Sequence, residues 1–324
     1  MKRRSLLQAG LALGASMPMT KQVHAQSWPQ RPIRIVVPFA AGSFTDTAAR
    51  TIGKEISSML GQPVVIETKG GGGSTLGTNV VAKSDADGYS LLVTDNSFAV
   101  SSALYAKLPY DPQKDIVQIT TVAEAPAVIM VNKDSPYTTL KDLVEVTRKN
   151  PKKFTYGSGG QGSSAHLALE LFFSGVQAEL IHVPYKGVAA ALLDLIAGRI
   201  DVGLASAGSA ANHVRNGRLR ALAVAGTQRH PMLPDVPTFA EAGFPQYNMT
   251  YWFGLMAPAG LPLEVQQKLQ QSIAKAVQEA KVMEVFAATG ARAVASTPAE
   301  FSQRVNNEIS VWKGVIAKAG IRIE

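Results

Sequence analysis

Residues 157–163 read Gly-Ser-Gly-Gly-Gln-Gly-Ser, a glycine-rich turn between a strand-like and a helix-like run. Gly157, Gly159 and Gly162 spell G-x-G-x-x-G, the spacing with which backbone N–H groups approach a dinucleotide's pyrophosphate. That chemistry also needs an acid about 20 residues on, at the end of the next strand, to hold a ribose hydroxyl. Here that strand ends His182-Val183-Pro184-Tyr185, so the nucleotide reading lacks its second half. The same turn suits a carboxylate, taken by backbone N–H groups around Gly159 and Gly160 and by the hydroxyls of Ser158 and Ser163. A second turn at 39–46, Phe-Ala-Ala-Gly-Ser-Phe-Thr-Asp, follows the same logic. Ala41, Gly42 and Ser43 are small enough for a tight backbone, and the helix beyond them adds partial positive charge. It is either a second anion seat or a plain strand–helix turn capped by Asp46. Phe44 and Phe98 follow predicted strand ends, where they either flank a flat ligand or sit in the core. Asn96 and Ser97 beside Phe98, Tyr185, and Ala205 with Ser206 complete the candidate binding set.

Other chemistries find no support. Gly70 to Gly73 lacks the Lys-Ser/Thr of a phosphate loop and reads as a flexible cleft wall. There is no G-x-S-x-G elbow and no cysteine to act as nucleophile or ligand. His166, His182, His213 and His230 are not in metal-ligand spacing. His166, three residues after Ser163, marks no triad and reads as a surface or packing residue. Lys186 either faces an anion or is solvated. No residue is assigned a catalytic role, and neither a cofactor nor a metal is expected.

The first 25 residues read as a secretory leader. Lys2, Arg3 and Arg4 form a basic head, residues 6–19 are apolar and uncharged, and Val23-His24-Ala25 offers a cleavage site after Ala25. Arg3-Arg4 also fits a twin-arginine signal, which leaves the export route open. The apolar run is shorter than the roughly 20 residues of a membrane span. The expectation is a soluble periplasmic monomer without lipid anchor or stable membrane insertion. The net charge of +8 is no sign of nucleic acid, because Lys2, Arg3, Arg4 and Lys21 carry half of it and leave with the leader. The remaining basic residues are scattered.

These turns must be positioned by a repeating α/β pattern. Strands are expected at 32–39, 63–67 and 89–94, with a helix over 46–60 capped by Thr45 or Asp46. The pattern restarts with strands at 128–131, 154–156, 180–183, 200–204 and 219–224 and helices at 139–149, 163–173 and 188–197. Helices at 263–279, 281–288 and 298–319 close the chain. Extended stretches at 118–131 and 246–256 mark two crossings between units. The expected fold is therefore α/β, with two parallel-rich sheets flanked by helices and a two-segment hinge. One lobe takes 26–124 and 252–324, and an inserted lobe takes 125–251. Ligands of such sheets bind at the carboxyl ends of strands, here across a closing cleft.

Over essentially the whole mature chain the sequence resembles the Bug-type substrate-binding receptors of tripartite tricarboxylate transport systems. The matching segments are PFAAGSFTD (38–46), VAKSDADGYSLLV (81–93), LPYDPQKD (108–115), GSGGQGSSAHLALELF (157–172), HVPYKGVAAALLDLIAGRIDV (182–202), LRALAVAG (219–226), LPDVPTFAEAGF (233–244) and WFGLMAPAGLP (252–262). The resemblance implies a two-lobed periplasmic binding protein that holds a small carboxylate through backbone amides, hydroxyls and waters. Its partners would be the membrane subunits of such a transporter. Two departures matter: Ser43-Phe44 stand where the family's first loop usually has a second Gly followed by a small residue or Pro, and Ala205 replaces a frequent acid. The missing acid argues against an amino-acid ligand and leaves room for a dicarboxylate, including an aromatic, terephthalate-like one. Presentation of the ligand to a membrane sensor kinase and a nucleotide-dependent α/β enzyme are the alternative readings.

Overall fold

The computed structural model describes residues 28–247 and 249–319, so the expected leader and cleavage site lie outside the described residues. The chain runs β1 (Ile33–Val37), α1 (Phe44–Leu60), β2 (Val64–Thr68), a 3-10 turn (Gly72–Ser74), α2 (Thr75–Ala82), β3 (Ser90–Asp95), α3 (Ser97–Leu104) and β4 (Ile116–Asn132). It continues α4 (Leu140–Lys149), β5 (Thr155–Ser158), α5 (Ser164–Gly175), β6 (Ile181–Pro184), α6 (Val188–Ile196), β7 (Val202–Ser206), α7 (Ala207–Arg215) and β8 (Leu219–Val224). The return is β9 (Thr250–Pro258), α8 (Leu263–Ala276), α9 (Ala280–Ala288), β10 (Arg292–Ala293) and α10 (Pro298–Ala319).

The strands pair in the order β2-β1-β3-β9-β4-β7-β5-β6, with β8 and β10 also on β4. β1 lies parallel to β2 and β3 in one lobe, and β5 lies parallel to β6 and β7 in the other. β4 belongs to both. Its residues Ile116–Pro126 pair antiparallel with β9, and from Ala127 onward it pairs antiparallel with β7 and β8. Pro126 stands at the exchange, where the strand leaves one set of partners for another and a missing N–H is tolerated. The stretches expected as a short extended hinge are thus two long strands bonded to each other. Their β-branched runs complete both sheets instead of standing alone.

α1 starts earlier than expected. Its N-cap is Ser43, not Thr45 or Asp46, because the Ser43 hydroxyl oxygen accepts the Asp46 N–H at 3.2 Å. Ala48, Ala49, Ile52 and Ile56 form its fully buried stripe. α10 covers the first lobe with Phe301, Val305, Ile309 and Trp312, spaced to fall on one face. Arg304 of α10 and Arg292 of β10 grip Glu124 of β4. Burial pushes that carboxyl up, but the two guanidinium groups outweigh it and hold it below the usual glutamate range. α3 and α7 were not expected. α3 is buried on nearly all sides and shows no polar face to read, and α7 is a short helix whose buried face is only Ala207, Ala210 and Ala211, too weakly apolar to mark a stripe. One apolar cluster runs through the first lobe and along α5, and a smaller one, with Val128, Met130, Leu192, Leu195 and Leu219, lies under α6 and α7. Among the described residues no helix is long and apolar enough to cross a membrane.

Candidate functional site

Both glycine-rich turns stand at the carboxyl ends of parallel strands, β1 and β5, and each opens a helix. In the first turn Ala41 and Gly42 are exposed. The Gly42 N–H donates to Asp46 Oδ2 at 2.9 Å, and Arg50 Nε bonds the same carboxylate at 3.0 Å. Burial pushes the Asp46 carboxyl up, but Arg50 and the Gly42 amide outweigh it and keep it below the usual aspartate range. Oδ2 thus takes both donors, while Oδ1 is buried without a hydrogen bond, so neither Asp46 nor the Gly42 amide is open to a ligand. The amides of Phe44 and Thr45 have no acceptor within the first helical turn. The Ser43 hydroxyl accepts as a cap and keeps its hydrogen to donate.

Phe44 packs edge-on to Phe253, with centroids 4.4 Å apart, and lies 5.9 Å from Phe286. Phe98 is fully buried in the first-lobe core, so the pair does not flank a flat ligand. Asn96 and Ser97 are buried as well. The Asn96 amide donates to Glu308 Oε2 at 2.9 Å, and its oxygen accepts the Trp252 backbone N–H at 2.8 Å, which ties β3 to β9 and α10. Asn96 instead lines a cavity of about 490 Å³ between α5, α10 and the segment before β9, away from both turns.

The residue that sequence reasoning missed here is Asp95. It ends β3 beside Thr45, whose Oγ1 lies 3.5 Å from Oδ2, and Oδ1 accepts the Ser97 N–H at 2.8 Å. Burial pushes its carboxyl up to about 6 against those hydrogen bonds. The available signal was an acid closing the apolar run Leu91–Thr94 at a strand's carboxyl end. A folded value above the ordinary 3.8 means that the fold favours the protonated form. The penalty is full above pH 6 and is relieved as pH falls toward 3.8. Asp95→Asn is therefore expected to raise stability at pH 8 by up to about 3 kcal/mol and to change it little at pH 4. Urea unfolding at both pH values checks this.

In the second turn Ser158 is fully buried. Its Oγ accepts the Gly160 N–H at 3.1 Å, lies 3.0 Å from the Gly160 carbonyl and sits 2.7 Å from His182 Nε2. Ser158 shapes the turn and does not face a ligand, contrary to expectation. Ser163 is the N-cap of α5, its Oγ accepting the His166 N–H at 3.3 Å. The amides of Ser164 and Ala165 follow in the first turn. Beneath the turn, Tyr156, His182 and His166 form a stack, the two imidazoles 3.9 Å apart and 17° from parallel. His166 Nδ1 accepts the Gly162 N–H at 3.2 Å. Burial pulls His166 down to about 3, helped by His182, and pulls His182 down to about 4. Both rings are neutral packing and turn-bracing groups, so His166 is a packing residue.

The remaining candidates divide. The Tyr185 hydroxyl donates to Asp194 at 2.8 Å and is not available to a ligand. Ala205 is buried against the smaller apolar cluster. Ser206 keeps some exposure as N-cap of α7, its Oγ 3.2 Å from that of Ser209. Lys186 is exposed. Ala41, Ser43, Gly159, Gly160 and Ser163 remain on the two turns, while Asn96, Ser97, Phe98, Ser158 and Ala205 are withdrawn into the protein. The two lobes meet near these turns: a Cβ at Gly73 would stand 3.7 Å from the Gly162 carbonyl oxygen.

Residues 48–321 match the tripartite tricarboxylate transporter family receptor. The chain is 36% identical to protein BugT of Bordetella pertussis over 304 residues, covering 93% of each chain. It is similar to an R. palustris protein solved with adipate, with TM-score 0.83 and 33% identity, covering 91% of this chain and 99% of that one. It is also similar to MatC from Rhodopseudomonas palustris solved with bound malate, with TM-score 0.81 and 32% identity, covering 89% and 99%.

Proposed function

Since the chain belongs to the tripartite tricarboxylate transporter family receptors, which are solute-binding receptors and not enzymes, we propose that it captures a small aliphatic dicarboxylate by lobe closure and passes it to the membrane subunits of such a transporter. The observation that carries the reading is the pair of capped helix starts. Ser43 and Ser163 each cap a helix at a strand's carboxyl end. Each leaves two first-turn amides and one hydroxyl hydrogen unclaimed, which together form a seat for one carboxylate. Two seats, one per lobe, fit a diacid, and the relatives solved with adipate and malate carry diacids. Phe98 is buried and Phe44 is held by Phe253, so support for an aromatic, terephthalate-like ligand falls away.

The same reading takes residues 1–25 as an export leader, the periplasm as the working compartment and a monomer as the working form. It also divides the chain into 26–124 with 252–324 against 125–251. A ligand bridging the lobes stabilises the closed form by its contacts in that form alone. Thermal-shift measurement with malate, adipate, terephthalate and aspartate tests the proposal. One or both aliphatic diacids should raise the melting temperature by several degrees. Stabilisation by aspartate or terephthalate alone would overturn the aliphatic-diacid reading.

A further inference from the structure

The lobes also meet away from the two seats, at a junction made of backbone. α9 of the first lobe ends at Thr289, and Gly290 follows with φ +65. α7 of the second lobe starts opposite it. A Cβ built on Gly208, in the first turn of α7, would lie 1.6 Å from the Thr289 carbonyl oxygen and 2.3 Å from its carbon. A Cβ on Gly290 would lie 2.4 Å from the Gly208 nitrogen and 2.7 Å from its Cα. The carboxyl end of one helix therefore abuts the amino end of another, so their partial charges attract across the junction. From the second lobe the His230 imidazole stands close enough to the Gly290 backbone to feel it electrostatically. Its Nδ1 accepts the Met232 N–H at 3.3 Å, so Nε2 is the ring nitrogen left to carry the proton beside that backbone.

The geometry points to Gly208 and Gly290 as the pair that sets how far the lobes close: a side chain at either position props the lobes apart, and ligand affinity falls with the lost closure. The part of this that concerns affinity rests on the receptor reading above, whereas the junction itself does not. Gly208 is the sharper probe. Its φ is not in the left-handed region, and alanine is the better helix former. Gly208→Ala thus favours α7 locally while its Cβ meets backbone that cannot move aside within a closed molecule.

The chain has no cysteine, so spin labels are placed cleanly on Asn216→Cys at the far end of α7 and Glu284→Cys on α9, both exposed. Distances between them are measured by pulsed dipolar spectroscopy, ligand-free and with adipate. The labelled parent should show a short, narrow distance population that Gly208→Ala lacks under both conditions. The variant's unfolding midpoint should be no lower than the parent's, and its adipate affinity at least tenfold weaker. His230→Phe, which leaves the glycines in place, should reduce the docked population without emptying it. A Gly208→Ala distribution matching the parent, or a parent with no docked population, overturns the assignment. If adipate leaves the parent unchanged while Gly208→Ala still empties the docked population, the diacid reading fails and the junction stands.

Discussion

Gly160→Ala is expected to weaken diacid binding by about 10- to 100-fold while leaving the lobes folded. Gly160 holds φ +127, a region that a side chain enters at a cost of about 1–3 kcal/mol. A Cβ there would also lie 3.1 Å from the Tyr185 carbonyl oxygen. The residue joins three of the bonds that shape the second seat: its N–H goes to Ser158, its carbonyl accepts the Ser163 N–H at 3.1 Å, and Ser158 Oγ faces that same carbonyl. Relaxing the strain means turning the Gly160 peptide, which moves Ser163 and with it the start of α5. Since 1.4 kcal/mol is tenfold in affinity, the strain sets the range. Calorimetric titration with adipate and malate measures it, with Gly314→Ala as control. Gly314 lies in α10 with open space at its Cβ position and should bind as the parent does. Affinities within twofold of the parent at Gly160→Ala would remove the second turn from the site.

Acidification is expected to destabilise the protein steeply between pH 6.5 and about 4, through the stacked imidazoles. His166 and His182 titrate at about 3 and about 4 in the fold, below the ordinary 6.5. In that window the unfolded chain binds two protons that the folded chain refuses, so stability is full above pH 6.5 and is lost as pH falls. Asp95 opposes this by binding one proton more in the fold between about 6 and 3.8. About one proton of net difference survives. At 1.36 kcal/mol per pH unit and proton, the loss is about 3 kcal/mol between pH 6.5 and 4. The structure also names what breaks. A proton on His166 Nδ1 would face the Gly162 N–H that this nitrogen now accepts, so the second turn should loosen before the lobes unfold. His182→Gln keeps a donor near Ser158 and should remove about half of the imidazole contribution. Urea unfolding at pH 7.5 and 4.5 in both proteins checks this, and an unchanged slope in His182→Gln would refute the role of the stack.

Much of the scaffold was legible because its signals are local. β8 falls where the apolar run at 219–224 placed it, and α1, α5, α6 and α8 to α10 lie within a few residues of their periodic stripes. The lapses have local causes. Ser43 took the cap of α1 because its hydroxyl stands three residues before the Asp46 amide, the spacing at which a cap oxygen can accept, whereas Thr45 and Asp46 already lie inside the helix. α3 lacks a polar face, since Phe98, Ala99, Val100 and Leu104 are all buried against other elements.

The sequence by itself determined the two glycine-rich turns, the helices they open and the kinship those segments carry, because chain neighbours dictate turn chemistry and period. Tertiary structure alone decided which polar groups of those turns stay open to a ligand. Asn96 finds Glu308, 212 residues away, and Ser158 finds His182, 24 residues away. Asp95 sinks beside Thr45, 50 residues earlier. A side chain's partner depends on which strands lie side by side, and β4 exchanging β9 for β7 and β8 is an arrangement that no window of neighbouring residues encodes.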